Sequence, residues 1–338
     1  MTGASIQPAL SDEPSPPPSR RQIAVLHAEV RDLARERDAI VLAHNYQRPE
    51  VQDVADFLGD SLALSREAAA SGSSVIAFCG VHFMAETASV LCPEKIVLLP
   101  DMRAGCSLAD TITAEELRAW KAEHPEAVVV MYVNTSAAVK AETDYCCTSS
   151  NAVQVVEHIR REHGADREIL FGPDMWLGQF VTRRTGHPMH VWSGECHVHA
   201  GIRPQDIERV RGEHPEAELL IHPECGCTAS VMEFVASGDV RAEHCHMLST
   251  GGMLDYARRS PAREFLVATE TGMLYPLEGQ NPGKRFIPVK RDAVCRFMKA
   301  ITLENLRDSL RDMRTEVRVP VDVAARARLP IERMVAIA

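Results

Sequence analysis

The sequence has no long uninterrupted apolar segment, and this absence limits where the protein can act. No run approaches the roughly 18 apolar residues of a membrane-spanning helix, and the N-terminus lacks the apolar core of a signal peptide. Basic residues are also too few for a general nucleic-acid binder, because 37 Lys and Arg stand against 47 Asp and Glu, a net charge of -10. We therefore expect a cytoplasmic protein that binds neither membranes nor nucleic acid.

Three short motifs are also missing. No GxGxxG follows a strand, which argues against a Rossmann site for a dinucleotide. The chain contains neither the CxxC pairs of a structural zinc ribbon nor the CxxxCxxC spacing of radical enzymes. The 10 cysteines of this 338-residue chain are therefore better explained by metal or redox chemistry than by a disulfide framework.

What is present is the pattern of an α/β protein. Residues 1–21 are rich in Pro and Ser and predict a disordered tail, and a charged amphipathic helix follows at about 22–37. Short apolar runs then alternate with longer helical patterns, which predicts parallel sheets covered by helices on both faces. The predicted strands are Ala39–Ala43, Val75–Phe78, Ile96–Leu99, Val128–Tyr132, Ile169–Phe171, His190–Trp192, Leu219–Ile221, His246–Leu248, Phe265–Ala268 and Arg285–Val289.

Polar clusters follow these strands, where parallel sheets place their binding loops. Loops rich in Ser, Thr and Gly before helices suit small anionic ligands, because free backbone N–H groups and the helix dipole favour carboxylate or phosphate. Any single one of them is equally explained as a helix cap. The clusters are His44-Asn45-Tyr46, Asp60-Ser61, Asn134-Thr135-Ser136, Thr148-Ser149-Ser150-Asn151, Gly194-Glu195-Cys196, His222-Pro223-Glu224 and Ser249-Thr250-Gly251-Gly252.

Cys106 lies in one such loop, in the stretch PDMRAGCSLAD that follows the strand ending at Leu99. The pattern predicts that Cys106 opens a helix with Ser107 as its N-cap, a position that favours a thiolate and hence a ligand or a nucleophile. The alternative is a buried structural cysteine. Cys79, Cys92 and the Cys146-Cys147 pair are predicted to have that structural role.

Two further cysteines share the context of Cys106. Cys196 follows the predicted strand ending at Trp192 and Cys295 the one ending at Val289, with separations of 90 and 99 residues. This spacing suggests three related α/β units that each contribute one thiolate to a common centre. Three such ligands suit a cube-like iron–sulfur cluster with one iron left open to substrate.

The residues leave other interpretations open. Cys106 could be the nucleophile of a thiol-dependent phosphatase or lyase. A zinc-stabilised metabolite-binding protein would use the same loops. A local zinc site is also conceivable from Cys225, Cys227 and the triplet His244-Cys245-His246.

A series of longer motifs carries a specific resemblance over roughly residues 38 to 310. It resembles the quinolinate synthase family, the iron–sulfur enzymes of de novo NAD biosynthesis. The motifs are AHNYQRPEVQDVADFLGDS, PDMRAGCSLAD, YVNTSAAVKAETD, CTSSNA, GPDMWLGQ, GECHVH, HPEC, LSTGGM, ATETGMLY and CRFMKAITLENL.

The resemblance implies an activity and a cofactor. The activity is that of a carbon–carbon bond-forming transferase that condenses iminoaspartate with dihydroxyacetone phosphate to quinolinate, phosphate and water. The cofactor is one 4Fe-4S cluster per chain, held by Cys106, Cys196 and Cys295, whose open iron acts as a Lewis acid. Because iminoaspartate is unstable, a transient encounter with L-aspartate oxidase is also expected.

The implied fold consists of three pseudo-symmetric α/β/α sandwich domains with short parallel sheets around a central active site. On this basis we expect a first domain of residues 22–98 joined by a C-terminal return at about 285–325. The second domain is expected at 99–188 and the third at 189–284.

The family motifs also imply substrate-binding positions. These are His44, Asp60, Ser61, Tyr132, Asn134, Ser149, His199, His222, Glu224 and Thr250.

The chemistry requires several proton transfers, for which a His–Glu couple and a tyrosine are suitable. We predict Glu224 as the principal acid/base, assisted by His222 and Tyr46, with Tyr132 orienting bound intermediates. Without the motif, His222 and Glu224 would be interpreted as a solvated loop and Tyr46 as a core residue.

Overall fold

The computed structural model describes residues 18–228, 231–232 and 244–337. Residues 1–17 of the predicted tail therefore lie outside the described residues. The first helix begins at Arg20, two residues earlier than predicted, so Arg20 and Arg21 are helical rather than part of a tail. Ser19 and Gln22 form a capping box there, which satisfies free N–H groups at the helix start.

Twelve strands in the described residues form three four-stranded parallel sheets. The order is β2-β1-β3-β4 in the first sheet, β6-β5-β7-β8 in the second and β10-β9-β11-β12 in the third. The same order repeated three times confirms the three pseudo-symmetric α/β/α units. The strands are β1 (Ala39–His44), β2 (Phe57–Gly59), β3 (Val75–Cys79), β4 (Ile96–Leu98), β5 (Val128–Tyr132), β6 (Tyr145–Cys147), β7 (Ile169–Gly172), β8 (His190–Val191), β9 (Glu218–Ile221), β10 (Cys245–Met247), β11 (Glu264–Ala268) and β12 (Arg285–Pro288).

Helices connect the strands and cover the sheets, so that central strands such as β3 and β5 are buried along their whole length. The described helices are α1 (Arg20–Glu36), α2 (Pro49–Gln52), α3 (Ser61–Ala70), α4 (His82–Leu91), α5 (Ala114–Glu123), α6 (Ala137–Lys140), α7 (Ala152–His163), α8 (Met175–Thr185), α9 (Pro204–Glu213), α10 (Thr250–Arg259), α11 (Leu274–Gln280), α12 (Leu303–Asp312) and α13 (Val321–Ala336).

Two strands were not predicted from the sequence, β2 and β6. Both are three-residue edge strands, and such short segments do not show the alternation or length that identifies a strand. The predicted strands all exist, with ends displaced by at most two residues.

The prediction that a helix begins at Cys106 is wrong. Cys106 and Ser107 lie in a turn that leads to a single 3-10 turn at Ala109–Thr111. The helix begins at Ala114, because Thr113 and Glu116 form a capping box there and Ser107 does not cap a helix.

The C-terminal segment returns to the first sheet. Val317 N donates to Val97 O at 2.8 Å, and Leu99 N donates to Thr315 O at 3.0 Å. The predicted domain boundaries stay a prediction. At these boundaries, β8 pairs with β7 in the second sheet, and β12 pairs with β11 in the third. In the part of the chain that the structure describes, every helix is too short or too polar to cross a membrane.

Candidate active site

Every residue predicted for the site lines one cavity at the carboxyl ends of the three sheets. The cavity contains about 710 Å³ of free space, part of it open to solvent. The predicted residues that line it are His44, Tyr46, Asp60, Ser61, Cys106, Tyr132, Asn134, Ser149, Cys196, His199, His222, Glu224, Thr250 and Cys295.

The three cysteine loops share one local conformation. In each loop the cysteine carbonyl accepts a hydrogen bond from the backbone N–H four residues later, at 3.2 Å after Cys106, 2.8 Å after Cys196 and 3.1 Å after Cys295. Side chains also join the loops to one another. Ser107 Oγ lies 2.6 Å from His197 Nδ1, and the His197 ring packs edge-on against Phe297 at 5.8 Å. Side-chain contacts thus link the three turns that carry the cysteines.

The surroundings of these sulfurs fit metal-bound thiolates. Burial raises the pKa of the Cys106 thiol to about 12 and that of Cys295 to about 11. The pKa of Cys196 is raised well above its ordinary value by burial, by the Glu224 carboxylate and by the other two sulfurs. Backbone N–H groups of the following turn act in the opposite direction by donating to each sulfur. Burial and the neighbouring sulfurs disfavour the thiolate forms, while the N–H donors favour them. A bound cation would tip this balance toward the thiolates, and its binding would release their protons.

Glu224 is the centre of a buried hydrogen-bond network. Its Oε2 lies 2.9 Å from His199 Nδ1, and its Oε1 accepts a hydrogen bond from the Tyr132 hydroxyl. His222 Nδ1 is farther away, at 4.0 Å from Oε2. The predicted His–Glu couple therefore exists, but the imidazole in hydrogen-bond contact with Glu224 is His199 rather than His222.

The network determines the charge of Glu224. Burial opposes ionisation, but the hydrogen bonds that Glu224 accepts from His199 and Tyr132 stabilise its carboxylate and hold its pKa below the ordinary value. Glu224 is therefore a carboxylate at neutral pH. Burial raises the pKa of Tyr132 well above its ordinary value, and the nearby Glu224 carboxylate adds to this, so Tyr132 keeps its proton.

Two more buried groups extend the network. The His222 ring stacks on His199 at 4.8 Å, and its Nε2 lies 3.2 Å from Ser149 Oγ. Tyr46 reaches His199 from the other side, because its hydroxyl is 3.3 Å from His199 Nε2 and 2.5 Å from Thr269 Oγ1. These contacts connect the Glu224 network with Ser149 on one side and with Tyr46 and Thr269 on the other.

Burial also lowers the pKa of His222 to about 4, which predicts an acid-sensitive fold. Between pH 6.5 and 4 the unfolded chain binds a proton that folded His222 resists, so stability falls as the pH falls. This one group contributes about 2 kcal/mol to the loss between pH 7 and 5. In urea unfolding of the metal-free protein, His222→Gln should lose about 2 kcal/mol less than the unchanged chain over this interval. Equal losses would contradict a neutral, buried imidazole.

Asp60 joins loops from all three units. Its Oδ1 caps α3 by accepting from Ala63 N at 2.9 Å, and its Oδ2 accepts from Ser150 Oγ at 2.7 Å and Ser249 Oγ at 3.2 Å. Both carboxylate oxygens are thus engaged within the protein. Asp60 aligns the N-termini of α3, α7 and α10 toward the cavity.

The lining residues of the described chain include no Lys or Arg. Donors to an anion must then come from side chains such as Asn134 and Thr250 and from the N-termini of the three helices that Asp60 aligns.

The sequence reasoning missed an ion pair at the cavity wall. Glu270 is fully buried, and Lys299 Nζ lies 3.1 Å from its Oε1. The same oxygen accepts the backbone N–H of Cys295 at 3.0 Å, while Lys299 also donates to the Tyr46 carbonyl. Glu270 lies in the motif ATETGMLY directly after β11, so its position at a strand end could have identified it as a cavity residue. No sequence pattern indicated the contact of Lys299 with Tyr46.

The remaining cysteines contribute no further metal centre within the described ranges. Cys225 is buried and donates to the Ala268 carbonyl at 3.1 Å. Groups that place three potential ligand atoms within 4.8 Å of one another are Cys196 with His199 and Glu224, and His124 with Glu168 and His190. Cys225, Cys227 and Cys245 belong to neither group, so among the described residues they form no site for a single ion. Cys106 and Cys295 belong to neither group as well, but this criterion applies to one ion and not to a cluster that contains several irons. The predicted structural cysteines Cys79, Cys92, Cys146 and Cys147 are all buried, as expected.

The fold and the cavity together define an α/β protein whose central cavity is lined by three cysteines. A family model described as quinolinate synthetase A protein matches residues 28–336. A quinolinate synthase of Thermus thermophilus is 55% identical over 312 residues, which cover 92% of this chain and 97% of that protein. That of Mycolicibacterium paratuberculosis is 57% identical over 312 residues, 92% of this chain and 88% of its own. The chain belongs to the quinolinate synthase family, whose members use an iron–sulfur cluster.

Proposed function

We propose that the protein condenses iminoaspartate with dihydroxyacetone phosphate to form quinolinate, with release of phosphate and two molecules of water. This makes it a transferase that supplies the pyridine ring for NAD biosynthesis. The single observation that carries the proposal is the meeting of three cysteine thiols and the Glu224 network in one cavity. Family membership over nearly the whole chain supports the same reaction.

Cys106, Cys196 and Cys295 are the residues that would hold the cluster. We propose a 4Fe-4S cluster, one per chain, with one iron not ligated by the protein. When bound, it would supply a Lewis acid for substrate carboxylate and hydroxyl groups. The three thiols and the N–H donors around them support this ligand set.

The other cavity residues bind substrate and move protons. The helix N-termini near Ser61, Ser149 and Thr250, together with Asn134, would bind the substrate carboxylates and the phosphate without help from a Lys or Arg side chain in the cavity lining. Imine formation and the dehydrations require protons taken from carbon and nitrogen and delivered to leaving oxygens. Glu224, a carboxylate at neutral pH, would accept a proton as a general base.

Neighbouring groups would assist Glu224. Tyr132, which donates to Glu224, would orient the intermediate and return a proton. His199 and Tyr46 would connect the carboxylate with the other side of the cavity, and neutral His222 would act with Ser149.

The reaction is tested on anaerobically purified protein supplied with both substrates. We expect quinolinate to accumulate, with about four irons and four sulfides per chain and a visible absorption that bleaches in air. A zinc-stabilised binding protein would contain stoichiometric zinc and no sulfide. A thiol nucleophile at Cys106 would survive air and be lost to alkylation instead. The protein would act in the cytoplasm. Because iminoaspartate is unstable, it would receive this substrate in a transient encounter with L-aspartate oxidase.

A further inference from the structure

A second group of potential metal ligands lies at the opposite end of the second sheet from the cavity. His124 is the C-cap residue directly after α5, Glu168 immediately precedes β7, and His190 begins β8. All three therefore lie at the amino ends of the parallel strands. Their chemistry takes no part in the reaction proposed above.

The three side chains converge on one point. His124 Nδ1 is 2.6 Å from Glu168 Oε1, and His190 Nε2 is 2.9 Å from the same oxygen. The two imidazole rings are 4.3 Å apart, and all three candidate ligand atoms lie within 4.8 Å of one another. The side chains are between 23% and 50% exposed, so an ion can enter from solvent and keep water ligands. The guanidinium of Arg167, the residue before Glu168, pairs with Glu126 at 3.9 Å.

We propose that His124, Glu168 and His190 form a second metal site for Zn²⁺ or a similar first-row divalent cation. Two imidazole nitrogens and one carboxylate oxygen are a ligand set that suits Zn²⁺, with water completing a four-coordinate site. The ion would join the end of α5 to the starts of β7 and β8. Since β8 is a two-residue edge strand, this joint would fix the edge of the second sheet.

The third unit contains the same arrangement with one ligand replaced. The segment EHPEA occurs at 123–127 and again at 213–217, and each histidine carbonyl accepts from the alanine three residues later. His214 Nδ1 lies 3.2 Å from Glu264 Oε2, but the third member is Arg285, whose Nη1 is 2.8 Å from Glu264 Oε1. An arginine stays protonated and cannot ligate a metal. His214, Glu264 and Arg285 therefore form an ion-pair cluster that cannot bind a metal in the same way, and they serve as an internal control for the site in the second unit.

The test is Zn²⁺ binding by calorimetry and equilibrium dialysis on the cluster-loaded protein under anaerobic conditions. The unchanged protein should bind one exchangeable equivalent with a Kd of about micromolar. His190→Arg copies the third unit and preserves an ion pair with Glu168, so the fold should survive while Zn²⁺ affinity falls at least about tenfold. His214→Ala should leave the affinity unchanged.

The converse substitution makes the test symmetrical. Arg285→His should give the third unit two imidazoles around Glu264 and add a second equivalent of bound Zn²⁺. If His190→Arg binds Zn²⁺ as tightly as the unchanged protein, the ion is held elsewhere and the proposal is overturned. Absence of any bound equivalent at about 100 micromolar Zn²⁺ would reduce the group to a hydrogen-bonded His–Glu–His cluster and overturn it as well.

Discussion

Replacing Cys106, Cys196 or Cys295 with serine is expected to remove the iron–sulfur cluster and lower quinolinate formation by more than about 100-fold. The three cysteines line a single cavity, so loss of one leaves two sulfurs, which are too few ligands to hold the cluster. Loss of even an outer partner of a metal ligand typically costs about 10- to 100-fold. Iron, acid-labile sulfide and the visible spectrum, measured anaerobically beside quinolinate formation, separate cluster loss from a catalytic defect.

A matched control is available in Cys92. This cysteine is also buried, but its thiol donates to the Ala68 carbonyl at 3.3 Å, a hydrogen bond that a serine hydroxyl can replace. Cys92→Ser should retain cluster and activity. A full cluster in Cys295→Ala, where no oxygen can substitute for the sulfur, would overturn the three-ligand assignment.

The architecture was predictable because the buried strands are long enough to show it. β5 (VVVMY) and β11 (EFLVA) are five-residue runs that are almost entirely apolar. Neither has a polar face, as expected for a parallel sheet covered on both sides. The edge strands β2 and β6 were not predicted, because a three-residue strand is too short to show a periodic pattern of apolar residues. Their pairing depends on a neighbouring strand already being in place.

The cavity residues were predictable for a different reason. Parallel strands bring their carboxyl ends together, so loops far apart in sequence must meet, and the recurrence of Cys106, Cys196 and Cys295 reported the threefold repeat of the fold. Which side chains touch was less accessible. His222 is two residues from Glu224 in sequence, yet stacking on His222 places His199 nearer to the carboxylate.

Long-range polar pairs were beyond the sequence altogether. Lys299 donates to the backbone of Tyr46 across 253 residues and pairs with Glu270 beside Cys295. A largely buried lysine needs a charge partner such as Glu270, because its charge is costly to leave unpaired away from water. Its contact with Tyr46 depends on how the third sheet meets the first, which no local sequence pattern records.

Glu224→Gln is expected to keep the cluster and lose turnover by about 100- to 10,000-fold, the contribution typical of a general acid or base. The amide has nearly the same shape but cannot accept a proton. Its oxygen can still accept from Tyr132 or His199, whereas its NH₂ group opposes the other donor. The loss should therefore appear in kcat more than in cluster content or substrate affinity, measured by iron and sulfide analysis and steady-state kinetics.

Glu218→Gln provides the control for this substitution. Glu218 begins the same strand, β9, at the end away from the cavity, where it accepts from Ser260 Oγ at 3.2 Å. Glu218→Gln should retain kcat. Near-normal kcat in Glu224→Gln would remove Glu224 from the mechanism, because a network of His199, Tyr132 and a neutral amide has no carboxylate left to take up the proton. If Glu224→Gln lost the cluster together with its turnover, Glu224 would be a residue that holds the metal centre. Its proximity to Cys196 makes this role chemically reasonable, and iron and sulfide analysis would detect it.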